Sequence, residues 1–372
     1  MNVPFYTSVR EYWGRKDEFD AAVCGVMERG DFILGSEVAE FEREAASWLG
    51  AKYAVGLASG SDALVLASDI LGFGNNAEVL TPTFTFFASA SCIARLKGKP
   101  IFVDMDEETL NMDLADAERK LTRKTVGIIP VHLFQQCTPL QGVVDLARKA
   151  NIKVLEDAAE AWGMESLVDC EWRKAGTVGD IGIYSFFPTK TLGAYGDAGL
   201  AVTDNEDLYN KLKSYRVHGS TVKYHHDYLG YNSRLDTLQA AILRVKLKTT
   251  DQAITARARH AAHYTERLSG LPGIRIPPVA TENKPVYYVY NILLCKRDTL
   301  IERFKEKGIG YSIYYPMPLH LQKCFAYLGH KEGDFPIAES IAKQIIALPI
   351  YPEITDNEVD YVCDVIQSFC RG

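Results

Sequence analysis

The sequence predicts an α/β fold with a large domain, in which a mostly parallel seven-stranded sheet lies between helices, and a smaller C-terminal α+β domain. Short apolar runs alternate with helical patterns through the first half of the chain, which is typical of a parallel sheet covered on both faces. Of the 372 residues, 47% are hydrophobic, which is enough for a large core. Prolines and a glycine in 272–278 then interrupt the pattern. We place the large domain at 1–250 and the small domain at 251–372, with the N-terminal segment packing on the small domain.

The individual elements follow from the spacing of apolar residues. In the second helix, Val38, Phe41, Ala45 and Trp48 recur at helical spacing. The predicted helices are 16–29, 36–49, 61–72, 86–96, 114–121, 139–150 and 204–217. The predicted strands are 54–58, 78–81, 100–104, 126–131, 152–156, 181–185 and 199–203. The remaining elements are a long helix over about 234–267, an alternating strand-like run at Val286–Leu294 and a helix after Asp298.

Composition and charge exclude several classes of partner. The formal net charge of −7 argues against nucleic acid, because phosphate binding needs a basic face. No segment approaches the roughly 20 apolar residues of a membrane span, and residues 1–5 lack the pattern of a signal peptide. The eight cysteines show neither a CxxC pair nor zinc-site spacing. We therefore expect no metal site, reduced thiols and a cytoplasmic location.

One lysine lies in an unusual loop. Lys190 belongs to Ser185–Gly199, a segment rich in serine, proline and glycine between two apolar runs. A catalytic amine needs a rigid, partly desolvated position open to a carbonyl, since burial favours the neutral form that can make a Schiff base. A lysine in a loop is otherwise most simply a surface residue, so this interpretation depends on three further segments.

The first segment places a carboxylate at the end of a strand. Residues Val154–Ala161 predict a buried strand with Asp157 at the carboxyl edge of a parallel sheet, where open α/β folds bind ligands. A carboxylate there can hold a pyridine nitrogen protonated. Asp157 could equally cap the helix that follows, because aspartate is a favoured N-cap residue.

The second segment is a strand, a Ser-Gly-Ser turn and a helix. The turn in Ala54–Leu64 contains Gly60 and Ser61, and the free N–H groups at the start of the helix suit a phosphate. It is neither a Walker loop nor a dinucleotide fingerprint. Small residues also occur in such turns for geometry alone.

The third segment is aromatic. Leu80–Ala88 contains Phe84, Phe86 and Phe87, and an aromatic ring here could lie flat against a pyridine ring. We expect two of the three to be ordinary core residues.

In this order, the segments resemble the DegT/DnrJ/EryC1 family of sugar aminotransferases, which depend on pyridoxal 5′-phosphate (PLP) and have the type I aminotransferase fold. The resemblance covers most of the chain. The other segments that carry it are 32–37, 230–241, 315–322 and 348–349.

The resemblance implies a role for each matching position. Lys190 would form the Schiff base and shuttle a proton, with pyridoxamine phosphate as intermediate, and Asp157 would pair with the pyridine nitrogen. Asn232 would reach the phosphate in the neighbouring subunit, which implies a homodimer with shared sites. The other implied cofactor positions are Gly60, Ser61 and Ser185 at the phosphate, Phe86 against the ring and Glu160 at the phenolic oxygen. The positions implied near the substrate are Arg234, Tyr314, Tyr315, His320 and His226.

Two positions depart from the family pattern. Glu160 stands where relatives commonly have glutamine, and a carboxylate repels a phenolate unless one of them is protonated. Tyr314 stands where many relatives have a histidine that contacts substrate, so we expect this contact with the sugar to differ from theirs.

Three histidines have competing interpretations. His225 and His226 are neighbours in a polar loop, and we favour a substrate loop over a metal site because no third ligand is near in sequence. His320 could contact a diphosphate or pack in the core.

The expected reaction is transamination from L-glutamate to a keto-sugar. The segment 217–236 is most similar to family members that aminate C3 of nucleotide-linked 3-keto-sugars, and a dTDP-3-keto-6-deoxyhexose is our preferred acceptor. The alternatives are C3 amination of a UDP-3-keto uronate, C4 amination of a 4-keto-6-deoxy sugar, and a PLP-binding regulator without catalysis. Related 3-dehydratases carry histidine in place of the lysine, so Lys190 argues against that activity.

Overall fold

The apolar runs of the first 203 residues assemble into one sheet in the computed structural model, which describes residues 1–371. The strands of the chain are β1 (Tyr53–Leu57), β2 (Glu78–Pro82), β3 (Lys99–Val103), β4 (Thr125–Ile128), β5 (Lys153–Asp157), β6 (Glu165–Val168), β7 (Glu171–Lys174), β8 (Ile181–Ser185), β9 (Gly199–Thr203), β10 (Ser220–Val222), β11 (His225–His226), β12 (Asn283–Lys284), β13 (Tyr290–Leu293) and β14 (Ile345–Leu348).

The large sheet confirms the predicted fold class. Its seven strands lie in the order β1-β9-β8-β5-β4-β2-β3. Only β9 is antiparallel to its neighbours, β1 and β8, within this sheet. Each predicted strand coincides with one of the seven, although β4 ends at Ile128 rather than at residue 131. Parallel strands covered on both faces are apolar throughout, which is why their sequence signal is strong.

Helices cover both faces of the sheet and form much of the C-terminal part. They are α1 (Val9–Gly14), α2 (Lys16–Arg29), α3 (Ser36–Leu49), α4 (Gly60–Ile70), α5 (Ala88–Arg95), α6 (Leu114–Arg119), α7 (Leu140–Ala150), α8 (Glu206–Tyr215), α9 (Thr237–Leu247), α10 (Thr250–Leu268), α11 (Arg297–Lys307), α12 (Pro336–Gln344) and α13 (Asp356–Arg371). Short 3-10 helices occupy Leu319–Leu321 and Lys323–Leu328.

The long helix predicted over 234–267 is two helices, α9 and α10, which meet at Thr249. The Thr249 hydroxyl lies 3.3 Å from the Lys246 carbonyl and accepts a 2.6 Å hydrogen bond from Arg15. A threonine side chain that bonds the backbone competes with the helical pattern. A residue of the N-terminal segment thus contacts the break, and the spacing of apolar residues does not reveal such a contact.

The chain after residue 250 is divided between two cores. Tyr264, Leu300 and Val362 belong to a C-terminal core that also contains Val3. Val3 forms a parallel bridge with Ile309, so the N-terminal segment packs on the C-terminal unit. By contrast, residues of 319–342 pack into the core of the large sheet. A domain boundary at residue 250 stays a prediction. Residues 319–342 follow that boundary in the sequence but pack with the large sheet.

Two other parts of the structure differ from expectation. The strand in Val286–Leu294 is only β13, which pairs with β14. A three-stranded sheet in the order β12-β6-β7 also forms, which the sequence did not predict because its strands are short and partly polar.

No helix within residues 1–371 is long and apolar enough to cross a membrane.

Candidate active site

Lys190 lies in the connection between two central strands. β8 ends at Ser185 and β9 begins at Gly199, so the loop starts and ends at one edge of the large sheet. The Lys190 N–H donates a 2.8 Å hydrogen bond to the Phe187 carbonyl, which closes a tight turn. The Lys190 side chain is only 14% exposed. The loop therefore holds the amine in a fixed and largely desolvated position.

The Lys190 amine lies between a carboxylate and an aromatic ring. Its Nζ is 3.6 Å from Glu160 Oε1 and 4.2 Å from the centre of the Tyr288 ring. The Tyr288 hydroxyl lies 3.1 Å from the Thr189 hydroxyl, which fixes the ring beneath the amine. Burial raises the pKa of Tyr288 to about 12, so its phenol is neutral at physiological pH.

Asp157 is the last residue of β5 and is buried. Its Oδ2 accepts a 2.7 Å hydrogen bond from Ser89 Oγ, and its Oδ1 accepts a 3.1 Å bond from the Ala159 N–H. Burial raises the pKa of Asp157, while the bond from Ser89 lowers it in part. The carboxylate is thus oriented by two donors at the carboxyl edge of the sheet.

Glu160 lies three residues after Asp157 and is also buried. Its Oε2 accepts a 3.2 Å hydrogen bond from the Phe134 N–H, and its Oε1 accepts one of the same length from the Tyr315 hydroxyl. Burial and the Glu160 charge raise the pKa of Tyr315 well above its ordinary value. Tyr315 therefore stays protonated and donates to Glu160, the carboxylate beside the Lys190 amine.

A narrow cradle forms where α4 begins. A Cβ placed on Gly60 would lie 2.7 Å from Ser185 Cβ, and one placed on Gly199 would lie 2.4 Å from the Ser59 carbonyl carbon. Only glycine lets the start of α4 approach these strands so closely. The first N–H groups of a helix have no partner within it, so those at Gly60 and Ser61 can bind an anion beside the Ser185 hydroxyl.

The aromatic segment differs from expectation. Phe84 is buried, but both Phe86 and Phe87 are exposed, at 56% and 41%. The prediction of two core residues among the three was therefore wrong. Phe86 lies 6.3 Å from the Tyr315 ring, centre to centre, so it belongs to the same group of side chains. Phe87 instead contacts Phe325.

Among the substrate-side predictions, Tyr314 lies close to the site. Its ring centre is 6.3 Å from that of Tyr288. Burial raises the pKa of Tyr314 as well. Arg234 and Asn232 lie on the segment between β11 and α9, where Asn232 is exposed and pairs with Val217 through its backbone. The structure does not bring these two into the contacts around Lys190.

His320 requires a correction, because it is a core residue. It is 2% exposed, its Nδ1 lies 2.8 Å from the Thr83 hydroxyl and its Nε2 lies 3.1 Å from Glu339 Oε1. Burial lowers the pKa of His320. With both ring nitrogens taken by protein partners, the side chain has no free polar atom for a substrate.

His226 is exposed on the β10–β11 hairpin, and its Nδ1 lies 3.0 Å from the His218 carbonyl. It is not among the contacts of Lys190. Within residues 1–371, no three His, Cys, Asp or Glu side chains are arranged to hold a metal ion.

Sequence reasoning missed two residues of the site. Ser89 comes from α5, 68 positions before the Asp157 it contacts, and Tyr288 comes from the C-terminal part of the chain. Neither belongs to a motif segment, so only the fold reveals them.

The chain matches the DegT/DnrJ/EryC1/StrS aminotransferase family over residues 14–367. It belongs to this family. It is 43% identical over 373 residues to the "Pleiotropic regulatory protein" of Geobacillus stearothermophilus, covering 100% of this chain and 99% of that one. It is 38% identical over 357 residues to the UDP-N-acetyl-3-dehydro-alpha-D-glucosamine 3-aminotransferase of Acidithiobacillus ferrooxidans, covering 96% and 95%.

The crystal structure of S. venezuelae DesV with a ketimine intermediate superimposes on this sugar aminotransferase with a TM-score of 0.96. The two chains are 35% identical, and the alignment covers 100% of this chain and 99% of DesV. The cofactor of the aminotransferase is PLP.

The residues present fit PLP. The glycine-lined start of α4 suits a phosphate, buried Asp157 suits a pyridinium nitrogen, and the Lys190 amine suits a carbonyl. All three lie where β5, β8 and α4 meet.

Proposed function

We propose that this aminotransferase moves the amino group of L-glutamate to C3 of a nucleotide-linked 3-keto-sugar, with a dTDP-3-keto-6-deoxyhexose as the preferred acceptor. The observation that carries the proposal is the Lys190 amine, 14% exposed and 3.6 Å from a buried carboxylate, on the loop that follows Ser185. The C3 position is supported by the 38% identical relative, whose name describes a 3-aminotransferase.

Each residue has a role that its position supports. Bound PLP supplies an electron sink for the carbon that loses its proton. Lys190 Nζ would hold the cofactor and carry the proton. Asp157 would keep the ring nitrogen protonated, and the N–H groups of Gly60 and Ser61 with the Ser185 hydroxyl would bind the phosphate. Exposed Phe86 would cover one face of the ring.

The proposed substrate contacts come from two places, one within the chain and one across a dimer interface. Tyr314 and Tyr315 would face the sugar, because Tyr315 reaches Glu160 and Tyr314 packs beside Tyr288. Arg234, Asn232 and His226 would act across the interface of a homodimer, since within one chain none of them is among the contacts of Lys190.

The test starts from protein converted by L-glutamate to its pyridoxamine form. The dTDP- and UDP-linked 3-keto and 4-keto sugars are added one at a time, and the visible absorbance of Lys190-bound PLP is followed. We expect the band to return with a 3-keto sugar, and with the dTDP-linked 6-deoxyhexose most rapidly. Return only with a 4-keto sugar would move the proposal to C4.

The control is Lys190→Ala, which should retain the fold and bind PLP without the visible band. A variant that kept both the band and transamination would contradict the role of Lys190. Failure of every sugar to restore the band of the wild-type protein would favour a regulator that binds PLP, a function consistent with the name of the 43% identical relative.

A further inference from the structure

Glu160 is a buried carboxylate surrounded by donors. It is 6% exposed, and each of its oxygens has a partner: the Phe134 N–H at Oε2 and the Tyr315 hydroxyl at Oε1. The Lys190 amine lies 3.6 Å from the same Oε1. This separation is slightly longer than a hydrogen bond, and catalytic contacts are often long before ligands bind.

We propose that Glu160 is a second acid–base group of this site, which exchanges a proton directly with the Lys190 amine. The Nζ–H bond breaks as an Oε1–H bond forms, so a charged pair becomes a neutral amine and a neutral carboxyl, and the reverse transfer returns the proton. The proposal rests on the proposed role of Lys190. It gives the chain a way to produce a nucleophilic amine without releasing a proton to water.

Glu160 is the carboxylate that pairs with this amine, at 3.6 Å. The other titratable groups that face it are Tyr288, Tyr314 and Tyr315, and burial raises the pKa of all three, so they stay protonated. Asp157 is the other nearby carboxylate, but the ion pair of the Lys190 amine is with Glu160, and Asp157 is held by Ser89 and Ala159. A glutamine at position 160 has a single acceptor oxygen, which could keep the hydrogen bond from the Phe134 N–H, while its amide N–H group would donate to the Tyr315 oxygen; it could take up no proton.

The experiment titrates the visible absorbance of the PLP-loaded protein with pH. A carboxylate 3.6 Å from the nitrogen that binds the cofactor stabilises its protonated form. We therefore expect Glu160→Gln to lower the midpoint of the titration by about 1 pH unit or more, which is the usual size of such a charge effect. Tyr315→Phe removes a donor from the carboxylate and should move the midpoint in the opposite direction.

The matched control is Glu118→Gln, which changes the net charge equally on an exposed helix and should leave the midpoint unchanged. Circular dichroism establishes that each variant is folded. If Glu160→Gln does not bind PLP, Glu160→Asp is titrated instead. Because this variant retains the charge, its midpoint should stay within about half a pH unit of the wild-type value.

The outcomes separate the two proposals. If the wild-type protein forms no Lys190-linked band with PLP, the proposed function fails. If the band forms and its midpoint is the same in Glu160→Gln and in Glu118→Gln, the role of Glu160 is overturned while the proposed function stands.

Discussion

Asp157 owes its orientation to a serine from another element. Ser89 is fully buried on α5 and donates to Asp157 Oδ2 at 2.7 Å. It is a positioning residue, since it acts through Asp157. A buried carboxylate without this donor would bind a proton more readily, because burial already favours its neutral form.

Ser89→Ala should therefore weaken the function of Asp157. We expect the turnover of glutamate to fall by about tenfold, which corresponds to one lost hydrogen bond to a charged group. The raised pKa of Asp157 would also move the acidic limb of the pH–rate profile to higher pH, a change that a purely structural role would not produce.

Ser91→Ala is the control for this prediction, because it removes a hydroxyl from the same helix at another buried position. Equal pH profiles in Ser89→Ala and in the wild-type protein would show that the donor is not needed.

The sequence could identify residues whose chemistry is set by their own segment. Lys190, Asp157 and Glu160 lie at strand ends or in loops that the apolar pattern locates. It could not identify Ser89 or Tyr288, because their roles depend on contacts between distant segments. For His320 the sequence left a diphosphate contact and packing in the core as alternatives, since a motif does not reveal which side of the chain faces the core, and the structure shows it buried.

At the scale of elements, α13 begins with a reciprocal capping arrangement. The Thr355 N–H donates to Glu358 Oε2 at 2.9 Å, and the Glu358 N–H donates to the Thr355 hydroxyl at 3.3 Å. Arg10 adds two hydrogen bonds to the Glu358 carboxylate, at 2.7 and 2.6 Å. The Glu358 carboxylate thus caps the first turn of α13 and also binds Arg10 of α1.

Glu358→Gln should destabilise the protein at neutral pH. The hydrogen bond from Arg10 lowers the pKa of Glu358 from 4.5 to about 2. A depressed pKa means that the stabilisation is complete above about pH 4.5 and is lost as the pH falls towards 2. We expect a loss of about 1–2 kcal/mol at pH 7, reduced because Arg10 is partly exposed, and a difference from wild type that disappears towards pH 2.

Urea unfolding at a series of pH values measures this difference. Glu302→Gln is the matched control, because Glu302 is an exposed partner of Lys305 and should change the free energy of unfolding by less than about 0.5 kcal/mol. A pH-independent effect of Glu358→Gln would contradict the assigned ion pair.

Elements were predictable where one face or both faces are continuously apolar. The seven strands of the large sheet satisfy this condition, whereas β6, β7 and β12 do not, because they are short and carry charged residues. The break at Thr249 involves Arg15, more than 200 residues earlier in the chain. The spacing of apolar residues within one segment does not reveal contacts with distant segments.

At the scale of the whole molecule, one chain leaves parts of its apolar surface uncovered. Phe32, Ile33 and Leu34 are exposed before α3, and Phe86 and Phe187 are exposed beside the candidate site. Aromatic residues, of which Phe32, Phe86 and Phe187 are three, are enriched at protein interfaces. Their exposure and that of Asn232 support the proposed homodimer.

A hybrid dimer tests whether the site is shared. In the proposed arrangement, Asn232 of each chain serves the other chain's Lys190. A dimer of one Lys190→Ala chain and one Asn232→Ala chain would then contain one site with both defects and one native site. We expect such hybrids, isolated with two affinity tags, to have about half the wild-type activity.

The two parent dimers are the controls, and each should be impaired at both of its sites. If Asn232 instead served its own chain, every site of the hybrid would carry one defect and activity would stay at the level of the parents. Because complementation requires two chains in one functional unit, recovery of activity would establish both the dimer and the direction in which Asn232 reaches.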